Sequence, residues 1–170
     1  MLAVKDIEAK IVDALRAATT SLKFAHEVTG FWQTSAYGVL KSLESRTNLV
    51  ALVEVATSTI SQSTFSSPDS SFDASVRLAV RLDLDPQGEA FAAFAEALDA
   101  LFRKWMRLTY QQTFTALDVD GYSVDGVGVT GSQPTIDTEA KVAAASWTLN
   151  LAGSFQPETQ TETSPETTEA

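Results

Sequence analysis

The sequence predicts an α+β domain in which amphipathic helices pack on a mostly antiparallel sheet. Apolar residues recur every three or four positions over 4–18 and over 86–107, which is the period of a helix. Between them, residues 72–84 alternate between apolar and polar side chains, which is typical of a strand with one buried face. The chain has 170 residues, enough for one domain with a substantial core.

Composition removes several classes of function from consideration. The chain has no cysteine and a single histidine, His26, so it offers neither a disulfide framework nor a thiolate or multi-histidine metal site. No apolar run approaches the roughly 18 residues of a membrane span, and the charged N-terminal segment is unlike a secretory signal. The net charge of −10 argues against ordinary binding of a phosphate backbone, which needs clustered Lys and Arg. We therefore expect a reducing cytoplasm, or a particle assembled there, as the compartment.

The N-terminal part combines a helix with a short strand. The predicted helix over 4–18 carries its charges on the face opposite the apolar stripe, and the segment "LKFAHEV", 22–28, alternates as a strand would. Residues 29–38 are predicted to form a loop, and residues 39–48 give no clear choice between a helical turn and an extended segment. The stripe comprises Val4, Ile7, Ile11, Leu15 and Ala18, and the polar face comprises Lys5, Asp6, Glu8, Lys10, Asp13 and Arg16.

Two long strands follow. Residues 49–61 are rich in β-branched side chains and apolar on both faces in their first half, which favours a central strand. Residues 72–84 place every second residue, from Phe72 to Leu84, on one apolar face. The Ser-rich segment 62–71 is predicted to be the long hairpin loop that joins them. Because such long loops are usually functional, we predict an interaction surface there, formed by Phe65, Ser66, Pro68 and Asp69.

The second helix is predicted over 86–107. Asp85 can cap its N-terminus, and Pro86 suits its first position. Basic residues lie near its C-terminal end, where the helix dipole favours positive charge. We interpret its heavy apolar stripe as packing against the sheet rather than as a ligand pocket. The stripe comprises Phe91, Phe94, Ala95, Leu98, Leu101, Phe102 and Trp105, and the basic residues are Arg103, Lys104 and Arg107.

The C-terminal third is predicted to contain two or three strands and an arm. One or two strands, around 110–119 and 122–130, would adjoin an Asp120-Gly121 turn, and a last strand would cover 139–153 and close the domain 1–153. Residues 154–170 hold four glutamates and no Lys or Arg, so they supply −4 of the charge and leave −6 for the domain. This composition cannot fold alone. We expect an arm ordered by a neighbour, with Phe155 and Pro157 as its anchors.

Three glycines, Gly126, Gly128 and Gly131, have the G-x-G-x-x-G spacing of dinucleotide-binding proteins. That fingerprint requires a helix directly after the glycines, whose N-terminus holds the pyrophosphate. Here Pro134 follows almost at once and no helical period continues. We therefore predict turns or a bulged edge strand, and no cofactor.

Other candidate chemical sites are equally weak. Asp118, Asp120 and Asp125 suggest a calcium loop, but Val127 stands where an EF-hand needs Glu. Turn-forming aspartates are the preferred interpretation, and a surface calcium site is the alternative. His26 has no visible orienting partner for catalysis. The sequence therefore predicts no catalytic residue and no metal ligand, while acid–base chemistry by carboxylates stays open because Asp and Glu are plentiful.

The segment order resembles one protein family. A leading amphipathic helix precedes a long β-hairpin, a helix begun after "VRLAVRLDLDP", and terminal strands with "WTLNLAG". This order, over roughly residues 3–153, is similar to that of the tail terminator, or tail completion, proteins of long-tailed bacteriophages. The resemblance is one of pattern and not of a diagnostic motif, and the acidic arm is not part of it.

The resemblance implies a structural role in the virion. Members of that family have an α+β fold, form hexameric rings, cap the tail tube and present the surface to which the head connector joins. They are not enzymes. We accordingly expect a homo-oligomeric ring in the neck, assembled in the host cytoplasm, through which DNA passes without specific binding. The alternatives are another neck or tail adaptor or assembly module, and a small carboxylate-dependent enzyme.

Overall fold

A computed structural model of the chain describes residues 2–32, 49–61, 69–131 and 134–155. Within these ranges the predicted α+β class is confirmed: two helices accompany a mixed, mostly antiparallel sheet of six strands. In chain order, the elements are α1 (Leu2–Thr19), β1 (Glu27–Gly30), β2 (Val50–Ser61), β3 (Asp69–Arg81), α2 (Glu89–Tyr110), β4 (Tyr122–Gly131), β5 (Thr135–Asp137) and β6 (Val142–Phe155).

The strand order across the sheet is β1-β2-β3-β6-β4, and β5 pairs with β6 beyond the end of β4. β1 is parallel to β2, and every other pair is antiparallel. The central strand β3 pairs with β6 along its whole length, from Asp69 opposite Ser154 to Arg81 opposite Val142. It also pairs with β2, from Ser61 opposite Asp69 to Val50 opposite Ala79.

The alternation of β3 decides which face of the sheet is buried. Phe72, Val76 and Leu78 are at most 3% exposed, whereas Arg77 between them is exposed. α1 packs over β1 and β2, α2 packs over β4 and β3, and the two helices contact each other. Both helices therefore cover the same face of the sheet.

The opposite face, called the open face here, carries small and polar side chains. It includes an ion pair between Arg77 and Glu54 at 3.7 Å. It also includes a hydrogen bond of 2.7 Å that the Asn150 amide donates to the Asp73 carboxylate. Because both pairs are solvent-exposed, they contribute little to stability.

The apolar stripe of α2 is confirmed as core. Phe94, Leu98, Phe102 and Trp105 are buried. The helix begins at Glu89, three residues after the predicted start, because residues 86–88 form a turn. Asp85 still acts as the cap: its carboxylate accepts hydrogen bonds from the backbone N–H groups of Ala90 and Phe91, at 3.2 and 2.9 Å.

Several strand predictions were wrong in part. β3 covers Asp69–Arg81 and not 72–84, and residues 82–84 form a turn. β1 covers only Glu27–Gly30, so residues 22–26 precede the strand. The strand expected over 110–119 is absent from the described chain, because α2 continues to Tyr110 and turns follow. Apolar side chains in that connection are nevertheless buried, Phe114 at 7% and Leu117 at 0% exposure, so the alternation there belongs to a loop packed in the core.

The last strand also extends beyond its predicted end. β6 reaches Phe155, so Ser154 and Phe155 belong to the sheet and not to the arm. The Phe155 ring lies 5.0 Å from that of Tyr122, which is itself 5.0 Å from Phe72. The position predicted to anchor the arm on a neighbour therefore packs against its own domain.

A bulge in β4 changes which side of the strand is buried. The pairing with β6 shifts between Val124 and Gly126. Before the bulge, Tyr122 and Val124 face the core, and after it Val127 does. One extra residue reverses the alternation of a strand, so apolar residues at even and then odd positions stay on the buried face.

Gly153 in β6 permits this arrangement. A Cβ at Gly153 would collide with the Ser123 carbonyl oxygen and lie 2.8 Å from the Tyr122 hydroxyl oxygen. By contrast, a Cβ at Gly128 would meet nothing closer than 3.8 Å. Neither glycine has a positive φ, so the difference between them is steric and not conformational.

Truncating the α2 stripe should destabilise the domain strongly. Phe94→Ala and Leu98→Ala each remove a fully buried side chain, and we expect each to lower the free energy of unfolding by about 2–5 kcal/mol. Met106→Ala is the control, because Met106 is 38% exposed and its truncation should cost below about 1 kcal/mol. Denaturant unfolding followed by circular dichroism measures all three. If Phe94→Ala and Leu98→Ala lower the free energy of unfolding no more than Met106→Ala does, the stripe is not buried as described.

Gly153→Ala should also be destabilising, by about 1–3 kcal/mol, because the added methyl group overpacks the contact between β6 and β4. The matched variant Gly128→Ala lies in the neighbouring strand with free space around it, and its effect should stay within about 0.5 kcal/mol. Thermal melting of the two variants side by side tests the close approach. Equal melting temperatures would show that β4 does not approach β6 as described.

Candidate interaction surfaces

His26 is a packing residue in this fold. Its Nδ1 lies 2.9 Å from the Phe24 carbonyl oxygen. Its ring makes edge contacts with Phe24 at 5.6 Å and with Phe94 of α2 at 5.5 Å. The imidazole therefore fills the space between the start of β1 and α2.

The three glycines of the G-x-G-x-x-G spacing all lie within β4. Gly126 stands at the bulge, and the chain continues into β5 and not into a helix. Among the described residues, the glycines are therefore not followed by the helix N-terminus that the fingerprint uses to hold a pyrophosphate. The predicted bulged edge strand is confirmed.

Asp118 stabilises the turn that starts β4. Its Oδ1 accepts hydrogen bonds from the Ser123 hydroxyl at 3.2 Å and from the Val124 N–H at 2.9 Å. Asp120 and Gly121 form the predicted tight turn, with Gly121 at a φ of 77°. Such hydrogen bonding explains Asp118 without a metal ion.

The surface beside this turn is an acidic groove of about 380 Å³. α1 contributes Asp6, Lys10 and Asp13 to its lining, and the turn contributes Asp118 and Asp120. No group of three or more metal-ligating side chains lies close enough to hold an ion anywhere in the described ranges.

The predicted interaction residues divide into two groups. Phe65, Ser66, Pro68 and Pro157 lie outside the described residues, and their role stays a prediction. Asp69, expected in the hairpin loop, is instead the first residue of β3, opposite Ser61 and Ser154. The predicted loop 62–71 was therefore too long at its C-terminal end.

One sheet edge runs along the outer side of β2. β1 pairs only with Val50–Val53, so the stretch from Glu54 to Ser61 faces no further strand among the described residues. The Trp32 indole N–H donates to the Val55 carbonyl oxygen at 3.2 Å and covers the start of this edge. Backbone groups along an unpaired edge can pair with another chain.

The second edge lies on the far side of the sheet and consists of β4 and β5. Gly128, Thr130 and Gly131 are exposed there, and Ile136 of β5 is 65% exposed. The only charged residue of β4 is Asp125. An edge with so few charges lacks the side chains that usually prevent pairing between sheets.

Two exposed aromatic rings mark the end of β1. Phe31 and Trp32 are 39% and 40% exposed, and their rings meet edge-on at 5.5 Å. The backbone N–H of Trp32 donates a hydrogen bond to the Glu8 carboxylate at 2.8 Å. Glu8 is fully buried, so its predicted place on the polar face of α1 was wrong. A Cβ at Gly30 would collide with that carboxylate, which ties α1 closely to β1.

A fourth surface lies at the C-terminal end of α2 and is called the basic face here. Arg103, Lys104 and Arg107 are exposed, as are Met106 and Tyr110, the latter at 90%. None of the three cations forms an ion pair with another described residue. From the sequence, these cations were interpreted only as residues that the helix dipole favours near the C-terminal end of the helix.

No protein-family model and no curated protein matches the chain. Neither described helix is both long and apolar enough to cross a membrane.

Asp118→Ala should test the turn against the calcium alternative. Loss of two hydrogen bonds to a carboxylate should cost about 1–3 kcal/mol of unfolding free energy. Asp125→Ala is the control, since Asp125 is an exposed aspartate of β4, the strand that follows this turn. The parent chain should have the same melting temperature with EDTA as with added Ca²⁺. A rise with Ca²⁺ that Asp118→Ala abolishes would favour a metal site instead.

Proposed function

We propose that this chain is a ring-forming structural subunit, the tail terminator of a long-tailed bacteriophage. In this role it caps the tail tube and forms the surface to which the head connector joins. The observation that carries the proposal is the pair of unlike sheet edges, the outer side of β2 and the β4–β5 edge, at opposite sides of one sheet.

Unlike edges favour head-to-tail association. When the β2 edge of one copy pairs with the β4–β5 edge of the next, each copy uses two different surfaces, which is a heterologous interface. Repetition of such an interface gives a closed ring if the rotation closes and a filament if it does not. The closed ring suits a cap on a tube, and the family resemblance gives six as the expected number of subunits.

The surface chemistry is compatible with that role. The described chain offers an open face of small and polar side chains that could line or flank such a ring. The net charge of −10 gives a wall that repels DNA, so that DNA can slide through without binding. The partners in the proposal are copies of this chain, the tail tube protein and the head connector.

The ring should depend on the β4 edge. Thr130→Lys places a long cation on the exposed edge strand, and Lys on an edge opposes pairing with another sheet. We expect this variant to keep the parent melting temperature but to remain a monomer at concentrations where the parent chain forms rings. Native mass spectrometry gives the subunit number, and electron microscopy with purified tail tubes shows whether rings sit at tube ends.

Thr148→Lys is the matched control. Thr148 lies directly opposite Thr130 in β6, is also exposed, and belongs to an inner strand. The control should still assemble. A parent chain that stays monomeric even with tail tubes present would refute the proposed function. If both variants still form rings, the proposed ring stands, but the β4 edge is not its interface.

A further inference from the structure

The basic face of α2 is unusual in this acidic chain. Three of the 12 Lys and Arg residues fall within five positions, 103–107, and all three are exposed. The helix dipole accounts for Arg107 in the last turn. That effect fades within one turn, so it does not account for Arg103 and Lys104, which lie earlier in the helix.

Four side chains of the basic face form one continuous stripe, and Lys104 lies beside it. Arg103, Met106, Arg107 and Tyr110 follow the spacing i, i+3, i+4 and i+7, which places them on one side of a helix. The stripe extends over about 10 Å of helix. It combines positive charge with two exposed apolar surfaces, Met106 at 38% and Tyr110 at 90%. Its chemistry fits an extended acidic peptide.

The chain itself contains such a peptide. Residues 156–170 include Glu158, Glu162, Glu166 and Glu169 but no Lys or Arg. Pro157 precedes the first glutamate, and Pro165 and several threonines lie between the glutamates. The carbon atoms of these side chains can pack on Met and Tyr side chains. Charge and composition are therefore complementary to the basic face.

The exit point of this segment is near the basic face. β6 ends at Phe155, opposite Tyr122 at the start of β4. The end of α2 leads into the same start of β4, and a cavity of about 400 Å³ is lined by Thr109 and Gln112 on one side and Asp125 on the other. The C-terminal ends of α2 and β6 therefore lie at one end of the sheet.

The segment is long enough to reach the stripe. Residues 156–170 can extend to about 50 Å, several times the length of the stripe. A tethered segment also has a high effective concentration, in the millimolar range for short flexible links. Weak individual ion pairs then suffice for docking within one molecule.

We propose that the acidic segment 156–170 docks on the basic face of α2 within the same chain. The glutamates neutralise Arg103, Lys104 and Arg107, and the segment covers Met106 and Tyr110. This docking does not require the proposed ring, and it replaces the expectation that a neighbouring copy orders the arm. Nucleic acid is a less suitable occupant because the domain as a whole is acidic.

Cleavage of the full-length chain by a protease that cuts after Glu tests the docking. Intact-mass measurement follows the loss of the C-terminal fragments with time. In the variant Arg103→Ser/Lys104→Ser/Arg107→Ser, we expect cleavage after Glu158 and Glu162 to be about tenfold faster than in the parent chain. At about 500 mM NaCl the difference between the two chains should vanish, because salt screens exposed charges.

The matched control removes three cations elsewhere. Lys5→Ser/Lys10→Ser/Lys23→Ser changes the net charge equally and alters exposed positions outside α2. This control should retain the slow cleavage of the parent. Circular dichroism and melting temperature verify that both triple variants are folded.

A mixture separates docking within one chain from docking between chains. When the parent and the α2 triple variant are co-expressed, their masses differ, so each arm is followed separately. Docking within the chain keeps cleavage of the variant arm fast. Slow cleavage of that arm in the mixture would assign the arm to a neighbour and overturn the proposal.

Two further results would also overturn it. One is equal cleavage of the parent, the variant and the control at about 50 mM NaCl, a salt concentration at which exposed charges interact over long distances. The other is binding of a labelled oligonucleotide that the α2 triple variant abolishes while arm cleavage stays unchanged. That result would assign the basic face to nucleic acid.

Discussion

The position of β3 between two strands that pair with it along its length determines the rest of the architecture. Its register with β6 runs without interruption from Asp69 to Arg81, and its register with β2 shifts only near Thr57. Because a slip by one residue would turn every side chain to the wrong face, this pairing fixes which face the helices can cover. The placement of α1 and α2 on that face follows.

Local signals in the sequence were sufficient for the elements nearest this centre. The alternation from Phe72 to Val80 and the helical stripe from Phe94 to Trp105 each repeat over enough residues to be unambiguous. The Asp120-Gly121 turn and the glycines of β4 were also interpreted correctly. In both places backbone conformation depends on neighbours in sequence.

Features that depend on distant contacts were not predictable in the same way. Glu8 appears polar in the helical pattern, yet it is buried because the end of β1 lies against it. Phe114 contributes to a strand-like alternation in the sequence, but it lies in a loop. It is buried there because its ring packs against that of Trp105, with the ring centroids 5.8 Å apart. The candidate surfaces belong to this class, since strand order creates the sheet edges and periodicity does not encode strand order. The loop residues chosen by composition, such as Phe65, lie outside the described chain.

The three tryptophans of the chain have very different surroundings. Trp105 and Trp147 are 2% and 6% exposed and share the Phe102 ring as a neighbour, and the Trp147 indole donates to Asp99 at 2.9 Å. Trp32 is 40% exposed beside the β2 edge. Fluorescence quenching by acrylamide can therefore distinguish two populations of indole in the unlabelled protein. Fluorescence of the buried pair depends on packing in the core, whereas fluorescence of Trp32 changes when another molecule contacts the β2 edge.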